Sequence, residues 1–262
     1  MKVLFSDFDG TLINETQPLS ALNKEKMQKL MNCGHKMVIC TGRNLQEFLK
    51  DQKKYQFPFD YLILNNGGQI VDNHYKTLFE KNIPHDTGVK ILNHTISIRD
   101  MWSYYCDSHS TYAYINGATY NHAVNGDKLE DFNFQKAYQE TGDFRIICFH
   151  QDNQQIDITK QCVDFVRQYF SDDVEAYYNL HYVDIVPKGC SKGQAMIHLL
   201  SMLDHVDQVY AVGDSYNDLS MLKEADYGYT FVYAHDDIKS QTKYHVNYVY
   251  EVIDDMLGGK EK

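Results

Sequence analysis

The chain has 262 residues, of which 43% are hydrophobic, and a formal net charge of −11. This length suits a core domain with a second domain inserted into it, and the hydrophobic fraction excludes a disordered chain. The acidic surface repels nucleic-acid backbones and anionic membranes, so we expect neither nucleic acid nor a membrane as a partner.

Cysteine usage and the N-terminus indicate a cytoplasmic location. The six cysteines are scattered without a C-x-x-C pair, which is typical of idle thiols in a reducing compartment and not of a zinc or redox motif. The charge at Asp7 comes before any signal-type apolar region could form. No apolar run approaches the ~20 residues needed to span a bilayer.

The first part of the chain alternates predicted strands and helices. Pro18 opens a helical pattern that we expect to stop at Gly34, and Asn44 with Glu47 three residues later predicts the start of another helix. Apolar runs that end abruptly at polar residues predict buried parallel strands at residues 3–5, 37–40 and 61–64.

The pattern changes after residue 83. The following stretch is polar and rich in aromatic residues, which we expect to be mostly core residues and not ligand-stacking ones. Residues 96–98 and 112–115 alternate as half-exposed strands do, and residues 163–170 fit a helix face. We interpret residues 84–183 as a separate α+β domain.

The alternation of strands and helices returns at residue 184. Further elements are predicted in this part of the chain: strands at 183–186, 208–212 and 227–232, a helix after Ser191, and a short helix over 217–225. The predicted fold class is therefore α/β. A Rossmann-like parallel-sheet core comprises residues 1–83 and 184–262, and the α+β domain is inserted between them.

Several strand ends and one helix start carry polar residues with a shared chemistry. Ligands of open parallel sheets bind beyond the carboxyl ends of the strands, so we expect these residues to converge at one rim. They are Asp7, Asp9, Thr41, Gly42, Arg43, Lys192, Asp214, Asn217 and Asp218.

The chemistry of this set points to a metal ion and a phosphate. Asp7, Asp214 and Asp218 offer the hard oxygen ligands that suit Mg²⁺, and a divalent cation would offset their mutual repulsion. Thr41 offers a hydroxyl donor, and Lys192 offers a compact positive charge near a helix N-terminus. Each short motif alone is more typical of a turn or a helix cap; the prediction rests on their combination and shared placement.

At these residues the sequence resembles the haloacid dehalogenase superfamily of phosphatases, and most of all its Cof-type branch with a type IIB cap. The opening motif D-x-D-G-T-L-[IL] stands at 7–13, and the second motif, a hydrophobic strand ending in Thr, at 38–43. The N-G-[AG] element stands at 66–68, the S-K-G motif at 191–193, and G-D-x-x-N-D-x-x-M-L at 213–222. The inserted domain is recognised by position and length alone.

The resemblance implies a catalytic role for four residues. Asp7 would attack phosphorus and form an aspartyl-phosphate, and Asp9 would protonate the leaving oxygen and then activate water. Thr41 and Lys192 would hold the phosphoryl oxygens, and Lys192 would also restrain Asp7. The inserted domain would act as a cap that excludes water from the site.

The resemblance also implies ligands for the metal ion and contacts to the substrate. Mg²⁺ would be bound by Asp7, the main-chain carbonyl of Asp9, Asp214 and Asp218. The phosphate or the substrate would contact Thr41, Gly42, Arg43, Asn66, Gly67, Lys192 and Asn217. The partner would be a small phosphorylated metabolite, such as a sugar phosphate or a phosphorylated cofactor.

One departure from the family pattern concerns the pocket wall. The family usually continues after the fourth motif as G-x-A-M-x-N-A, whereas this chain has GYTFVYA at 228–234, with Tyr233 in the place of the Asn.

Three functions stay open at this point: hydrolysis of small phosphomonoesters, a phosphomutase that uses the same intermediate, and a non-enzymatic sensor of a phosphorylated metabolite. Release of phosphate without an isomerised product would favour the first.

Overall fold

The computed structural model describes residues 1–13, 19–108, 110–121, 126–151, 156–179 and 182–258. The chain divides into two compact units, Met1–Glu80 with Ser191–Lys262, and Lys81–Cys190. The helix start predicted at Pro18 lies outside the described residues. Within them, no helix is both long and apolar enough to cross a membrane.

The described residues form fifteen strands and nine α-helices. The strands are β1 (Lys2–Asp7), β2 (Lys36–Cys40), β3 (Tyr61–Leu64), β4 (Gln69–Asp72), β5 (Thr77–Glu80), β6 (Met101–Cys106), β7 (Thr111–Ile115), β8 (Ala118–Asn121), β9 (Asp127–Lys128), β10 (Ile146–Gln151), β11 (Val174–Asn179), β12 (Tyr182–Pro187), β13 (Gln208–Val212), β14 (Tyr227–Phe231) and β15 (Tyr244–Val246). The helices are α1 (Ala21–Asn32), α2 (Leu45–Tyr55), α3 (His85–Ile96), α4 (Phe134–Glu140), α5 (Ile156–Phe170), α6 (Lys192–Leu200), α7 (Leu219–Glu224), α8 (Asp236–Lys239) and α9 (Val249–Met256).

The first unit is built on an eight-stranded sheet in the order β15-β14-β13-β1-β2-β3-β4-β5. The six strands from β15 to β3 are parallel, and β4 and β5 continue the sheet as antiparallel hairpins. The central strands are apolar and buried along almost their whole length, as expected of a parallel sheet covered on both faces. The predicted α/β core with a parallel sheet is confirmed.

The register of this sheet brings distant parts of the chain to one edge. β1 pairs with β2 so that Asp7 lies opposite Cys40, and with β13 so that Ser6 lies opposite Val212. Thr41 and Gly213 therefore begin the loops on either side of Asp7. This edge, where the carboxyl ends of β1, β2, β3, β13 and β14 meet, is called the rim below.

Capping side chains fix where the helices beside the rim begin. The side chain of Asn44 accepts a hydrogen bond from the backbone N–H of Glu47, which confirms the predicted start of α2. Ser191 in the same way accepts from Gln194 N and begins α6, so Lys192 is the first residue of that helix. Both helices thus start directly at the rim.

The second unit contains a seven-stranded antiparallel sheet in the order β11-β12-β10-β6-β7-β8-β9. Its core is rich in aromatic side chains, including Tyr105, Tyr138, Phe144 and Phe149, so the expectation that the aromatics of this stretch are mostly core residues is confirmed for them. The unit has the α+β character that the sequence predicts.

Two details of the second unit differ from the prediction. Residues 96–98 do not form a strand, because Ile96 is the last residue of α3 and Ile98 lies in the turn that follows. Both side chains pack against the core, so a helix end followed by a turn gives the same apolar spacing of two positions as a strand. The strand predicted at 183–186 pairs with β10 and β11 and belongs to the second sheet. The units therefore divide after residues 80 and 190, a few residues from the predicted 83 and 183.

Candidate active site

A buried lysine joins two acidic residues at the centre of the rim. Nζ of Lys192 lies 2.6 Å from Oδ1 of Asp7 and 2.6 Å from Oδ1 of Asp218. All three side chains are at least 95% buried. Because a buried charge is costly unless it is paired, this arrangement requires all three groups to be present.

Asp218 also organises the loop that follows β13. Its second oxygen, Oδ2, accepts hydrogen bonds from the backbone N–H groups of Asp214 (3.1 Å) and Ser215 (2.9 Å). The third acidic residue, Asp214, accepts a bond of 2.7 Å at Oδ1 from the hydroxyl of Thr11. The backbone bonds of Asp218 are local to its loop, whereas the bond between the side chains of Thr11 and Asp214 joins the loops after β1 and β13.

Asp7, Asp214 and Asp218 can share a metal ion. Each offers a carboxylate oxygen, and these three oxygens all lie within 4.8 Å of one another. Against the single charge of Lys192, the three carboxylates leave an excess of two negative charges. Oδ2 of Asp7 is buried and accepts no hydrogen bond from any donor among the described residues. A buried carboxylate oxygen without a hydrogen-bond donor and an excess of two negative charges both fit a divalent cation.

Burial and the closeness of these charges shift the pKa values of the groups in the cluster. Burial, followed by the charge of Asp218, raises the pKa of Asp7 well above its ordinary value, although Lys192 opposes this. Burial and Asp218 likewise raise the pKa of Asp214 to about 6. Burial alone would lower the pKa of Lys192, but the charges of Asp218 and Asp7 raise it, so the ammonium form is kept.

Asp9 points to a different set of partners. Its Oδ2 accepts hydrogen bonds from Thr41 Oγ1 (3.1 Å) and from Nε of Arg43 (2.9 Å), and the Arg43 guanidinium also contacts its Oδ1. The same guanidinium is ion-paired with Asp51 on α2 and lies 5.3 Å above the ring of Phe8. The carboxylate of Asp9 is therefore outside the group of three acids, and the assignment of its main-chain carbonyl to a metal ion stays a prediction.

A turn after β3 brings Asn66 to the rim. Asn65, Asn66 and Gly67 all have positive φ angles, of 52°, 51° and 102°. Oδ1 of Asn66 accepts a hydrogen bond of 3.2 Å from the amide of Asn217. This bond joins the turn that carries the N-G-[AG] element to the loop that carries the fourth motif.

Two glycines, Gly42 in the loop after β2 and Gly67 in the turn after β3, are in close contact with their neighbours. A Cβ atom on Gly42 would lie 3.2 Å from Oδ1 of Asn66, and one on Gly67 would lie 2.3 Å from the carbonyl oxygen of Ser191. The absence of a side chain at these two positions therefore lets the loops after β2 and β3 pack closely against Asn66 and Ser191. Direct contact of Gly42, Asn66, Gly67 and Asn217 with a substrate stays a prediction.

Tyr233, which follows β14, contacts the loop after Asp9. Its hydroxyl donates a hydrogen bond of 2.7 Å to the carbonyl oxygen of Gly10. Gly10 has a φ of +87°, and a Cβ atom there would lie 2.6 Å from Oδ2 of Asp214. Any other residue at this position would have a strained φ angle and would displace the Asp214 carboxylate.

From the sequence, no contact was assigned to three residues that the structure places among these groups. Thr11 lies within the opening motif but was given no role, and its bond to Asp214 needs the sheet register to be seen. Asp51 follows Arg43 by eight residues, and no local pattern marks their pairing. Tyr233 was identified only as a departure from a family pattern, and its contact with Gly10 depends on the turn after β14.

Comparison with known proteins shows which family this chain resembles along its length. The family model of haloacid dehalogenase-like hydrolases matches residues 4–252, which is nearly the whole chain. The chain is 25% identical over 292 residues to 5-amino-6-(5-phospho-D-ribitylamino)uracil phosphatase YwtE of Bacillus subtilis, and the alignment covers 99% of each chain.

Solved structures share the fold. A haloacid dehalogenase-like hydrolase from B. subtilis superposes with a TM-score of 0.80 at 21% identity, covering 98% of this chain and 99% of the other. The subclass IIB sugar phosphatase BT4131 superposes with a TM-score of 0.77 at 18% identity, covering 98% of this chain and 99% of the other.

Proposed function

This chain belongs to the haloacid dehalogenase-like hydrolases, as a phosphatase of the Cof type, and from that premise we propose that it hydrolyses small phosphate monoesters with Mg²⁺ through an aspartyl-phosphate at Asp7. The observation that supports this most is the environment of Asp7. One oxygen is paired with Lys192 at 2.6 Å, and the other is buried without a donor among the described residues. Such a carboxylate is fixed in place while one oxygen stays available.

In the first step, a carboxylate oxygen of Asp7 attacks phosphorus and the bond between phosphorus and the leaving oxygen breaks. Asp9 donates a proton to that oxygen, so the alcohol leaves in its neutral form. Both oxygens of Asp9 are engaged by Arg43, and Oδ2 also by Thr41, so at least one of these contacts opens for the transfer. Lys192 and Thr41 hold the phosphoryl oxygens during the step.

In the second step, Asp9 takes a proton from a water molecule, whose oxygen attacks the phosphorus of the aspartyl-phosphate. The bond between phosphorus and the Asp7 oxygen breaks, and inorganic phosphate and the Asp7 carboxylate are released. Asp9 is thereby protonated again for the next cycle. Lys192 stabilises the returning carboxylate, since it lies 2.6 Å from Asp7 Oδ1.

A divalent cation, when bound, neutralises the acidic cluster and the phosphoryl oxygens that approach it. Asp7, Asp214 and Asp218 are the residues proposed to hold it, with the carbonyl of Asp9. Mg²⁺ is proposed over softer metals because the donors are all hard oxygen atoms. Thr11 keeps Asp214 oriented toward this cluster through the bond of 2.7 Å.

The substrate class proposed is that of small soluble metabolites, such as sugar phosphates or phosphorylated cofactors. Two similar proteins carry names of this kind, a ribitylaminouracil phosphate phosphatase and a sugar phosphatase. We assign substrate selection to the inserted unit and further phosphate or substrate contacts to Arg43 and the Asn66–Gly67 turn.

The test is a screen of the purified full chain against a panel of phosphomonoesters, with Mg²⁺ and with EDTA, measuring inorganic phosphate. We expect release with Mg²⁺ only, and a loss of at least about 1,000-fold in Asp7→Asn. Asp60→Asn, which removes a carboxylate paired with Lys36 in the same unit, is the matched control and should keep full activity. Undiminished turnover by Asp7→Asn would remove Asp7 from the mechanism, and an isomerised phosphate ester instead of free phosphate would indicate a mutase.

A further inference from the structure

Tyr233 stands on the rim, at the carboxyl end of a strand that adjoins the acidic cluster. It follows β14 by two residues, and β14 pairs in parallel with β13, whose end leads into Gly213 and Asp214. A turn in which Ala234 N donates to Phe231 O directs the chain back at this point. The side chain is therefore held at the same edge as the proposed nucleophile.

The tip of the Tyr233 ring is fixed beside Asp9. The hydroxyl donates to the carbonyl oxygen of Gly10, the residue that follows Asp9 in the chain. Partial removal of the hydroxyl from water, with the charges of Asp214 and Asp7 nearby, raises the pKa of Tyr233. The hydroxyl therefore keeps its proton and acts as a neutral donor to Gly10.

The ring itself presents an open aromatic face. One face stacks on Phe231, with ring centroids 4.8 Å apart and planes inclined by 16°. Tyr233 nevertheless keeps 56% of its surface exposed, and the neighbouring Val232 keeps 49%. A bond at the tip and a stacked ring behind hold the exposed face in one orientation, so little conformational entropy is lost when a ligand packs on it.

We propose that Tyr233 is a specificity-determining residue that favours phosphate esters whose leaving group carries a planar ring one carbon away from the ester oxygen. This rests on the proposed function, in which Asp9 protonates the leaving oxygen. A leaving group bound at Asp9 lies beside the residue that anchors the Tyr233 ring. Offset stacking of a planar group on an exposed, fixed aromatic face is favourable, whereas a saturated group of the same size gains less from it.

The proposal is tested with two esters that differ mainly in planarity, benzyl phosphate and cyclohexylmethyl phosphate. For the full chain with Mg²⁺, we expect kcat/KM to favour benzyl phosphate by about two- to tenfold. Tyr233→Leu, which removes the ring, should bring this ratio close to one. Tyr233→Phe keeps the ring and loses only the bond to Gly10, so it should keep a preference even if turnover of both esters falls.

The matched control is Tyr248→Leu. Tyr248 is also an exposed tyrosine stacked on another aromatic ring, that of Tyr250, with ring centroids 5.1 Å apart, and it lies at the start of α9. This variant should leave the ratio unchanged. An equal ratio in the wild type and in Tyr233→Leu overturns the proposal.

A binding measurement separates this proposal from the proposed function. Benzylphosphonate and cyclohexylmethylphosphonate cannot be hydrolysed, and their affinities can be measured by calorimetry in the presence of Mg²⁺. If no ester is turned over, the proposed hydrolysis fails, but tighter binding of benzylphosphonate that is lost in Tyr233→Leu still supports the role of Tyr233. Equal binding of the two phosphonates overturns that role whether or not the chain hydrolyses esters.

Discussion

Nζ of Lys192 lies 2.6 Å from Oδ1 of Asp7, although 185 positions separate the two residues in the chain. The same nitrogen lies 2.6 Å from Asp218, and the three side chains are almost completely buried. A charge cluster of this kind depends on each member, because removing one leaves the others uncompensated in a medium that solvates them poorly.

Lys192→Met is therefore expected to destabilise the protein strongly and to abolish activity. Leaving Asp7 and Asp218 buried and unpaired should cost about 3–5 kcal/mol in the free energy of unfolding, measured by urea denaturation in EDTA. Lys36→Met is the control, because it breaks the more exposed pair with Asp60 and should cost about 1 kcal/mol or less. Equal losses in the two variants would contradict the importance of the buried cluster.

Asp214→Asn should weaken Mg²⁺ binding. It removes one negative charge from the three carboxylates whose oxygens lie within 4.8 Å of one another. We expect the dissociation constant, measured by calorimetry, to rise at least about tenfold. Thr11→Val keeps the carboxylate but removes the bond that orients it, so we expect a rise of about tenfold as well. Unchanged Mg²⁺ affinity in Asp214→Asn would place the metal ion elsewhere.

Gly10→Ala should disturb the position of Asp214. The added Cβ would lie 2.6 Å from Oδ2 of Asp214, so the carboxylate must move. Gly34→Ala offers a close control, since Gly34 also has a positive φ, of +80°, but a Cβ atom added there would meet no atom within 4 Å. Both variants should lose about 1–2 kcal/mol of stability from the left-handed backbone, but only Gly10→Ala should lose Mg²⁺ affinity and phosphatase activity. Full activity in Gly10→Ala would show that Asp214 tolerates displacement.

Asp51→Asn should lower kcat through Arg43. Asp51 and the ring of Phe8 hold the guanidinium that contacts both oxygens of Asp9, so weakening this support misaligns the proposed acid and base. We expect kcat to fall about tenfold with KM little changed.

A double-mutant cycle identifies the route of this effect. In an Arg43→Lys background, Asp51→Asn should have little further effect, because the two residues act as a unit. Asp254→Asn breaks an ion pair between α9 and Lys26 on α1, whereas the Asp9 side chain is bound by Thr41 and Arg43, so this variant should leave kcat unchanged. Effects of Asp51→Asn and Arg43→Lys that simply add would show that Asp51 acts by another path.

The parallel core and the convergence at the rim could be predicted from the sequence, because buried parallel strands form short continuous apolar runs. Lys192, Asp7, Asp214 and Asp218 all follow such runs or begin a helix, so their meeting follows from the sheet order. Apolar runs do not encode which sheet a strand joins, and for this reason β12 was assigned to the wrong unit. The pair of isoleucines at 96 and 98 fits a strand and a helix end equally well.

The contacts that position the site residues could not be predicted from the sequence. The pairing of Asp51 with Arg43 depends on how α2 packs against the loop before it, and Asp9 could not be assigned to Arg43 instead of the acidic cluster without coordinates. Tyr233 shows the limit most clearly. Its residue type was visible, but its bond to Gly10 requires the turn after β14.

The order of strands in the first sheet also bears on how the chain is made. β1 leaves the ribosome well before its neighbour β13, which begins only at residue 208. At a synthesis rate of about 5–20 residues per second, the 127 residues between Glu80 and Gln208 take about 6–25 s to appear. During that time one side of β1 has no partner strand, and a nascent chain in this state is exposed to edge-to-edge association. Newly synthesised chains should therefore depend more on chaperones, and refold more slowly, than the compact native sheet alone suggests.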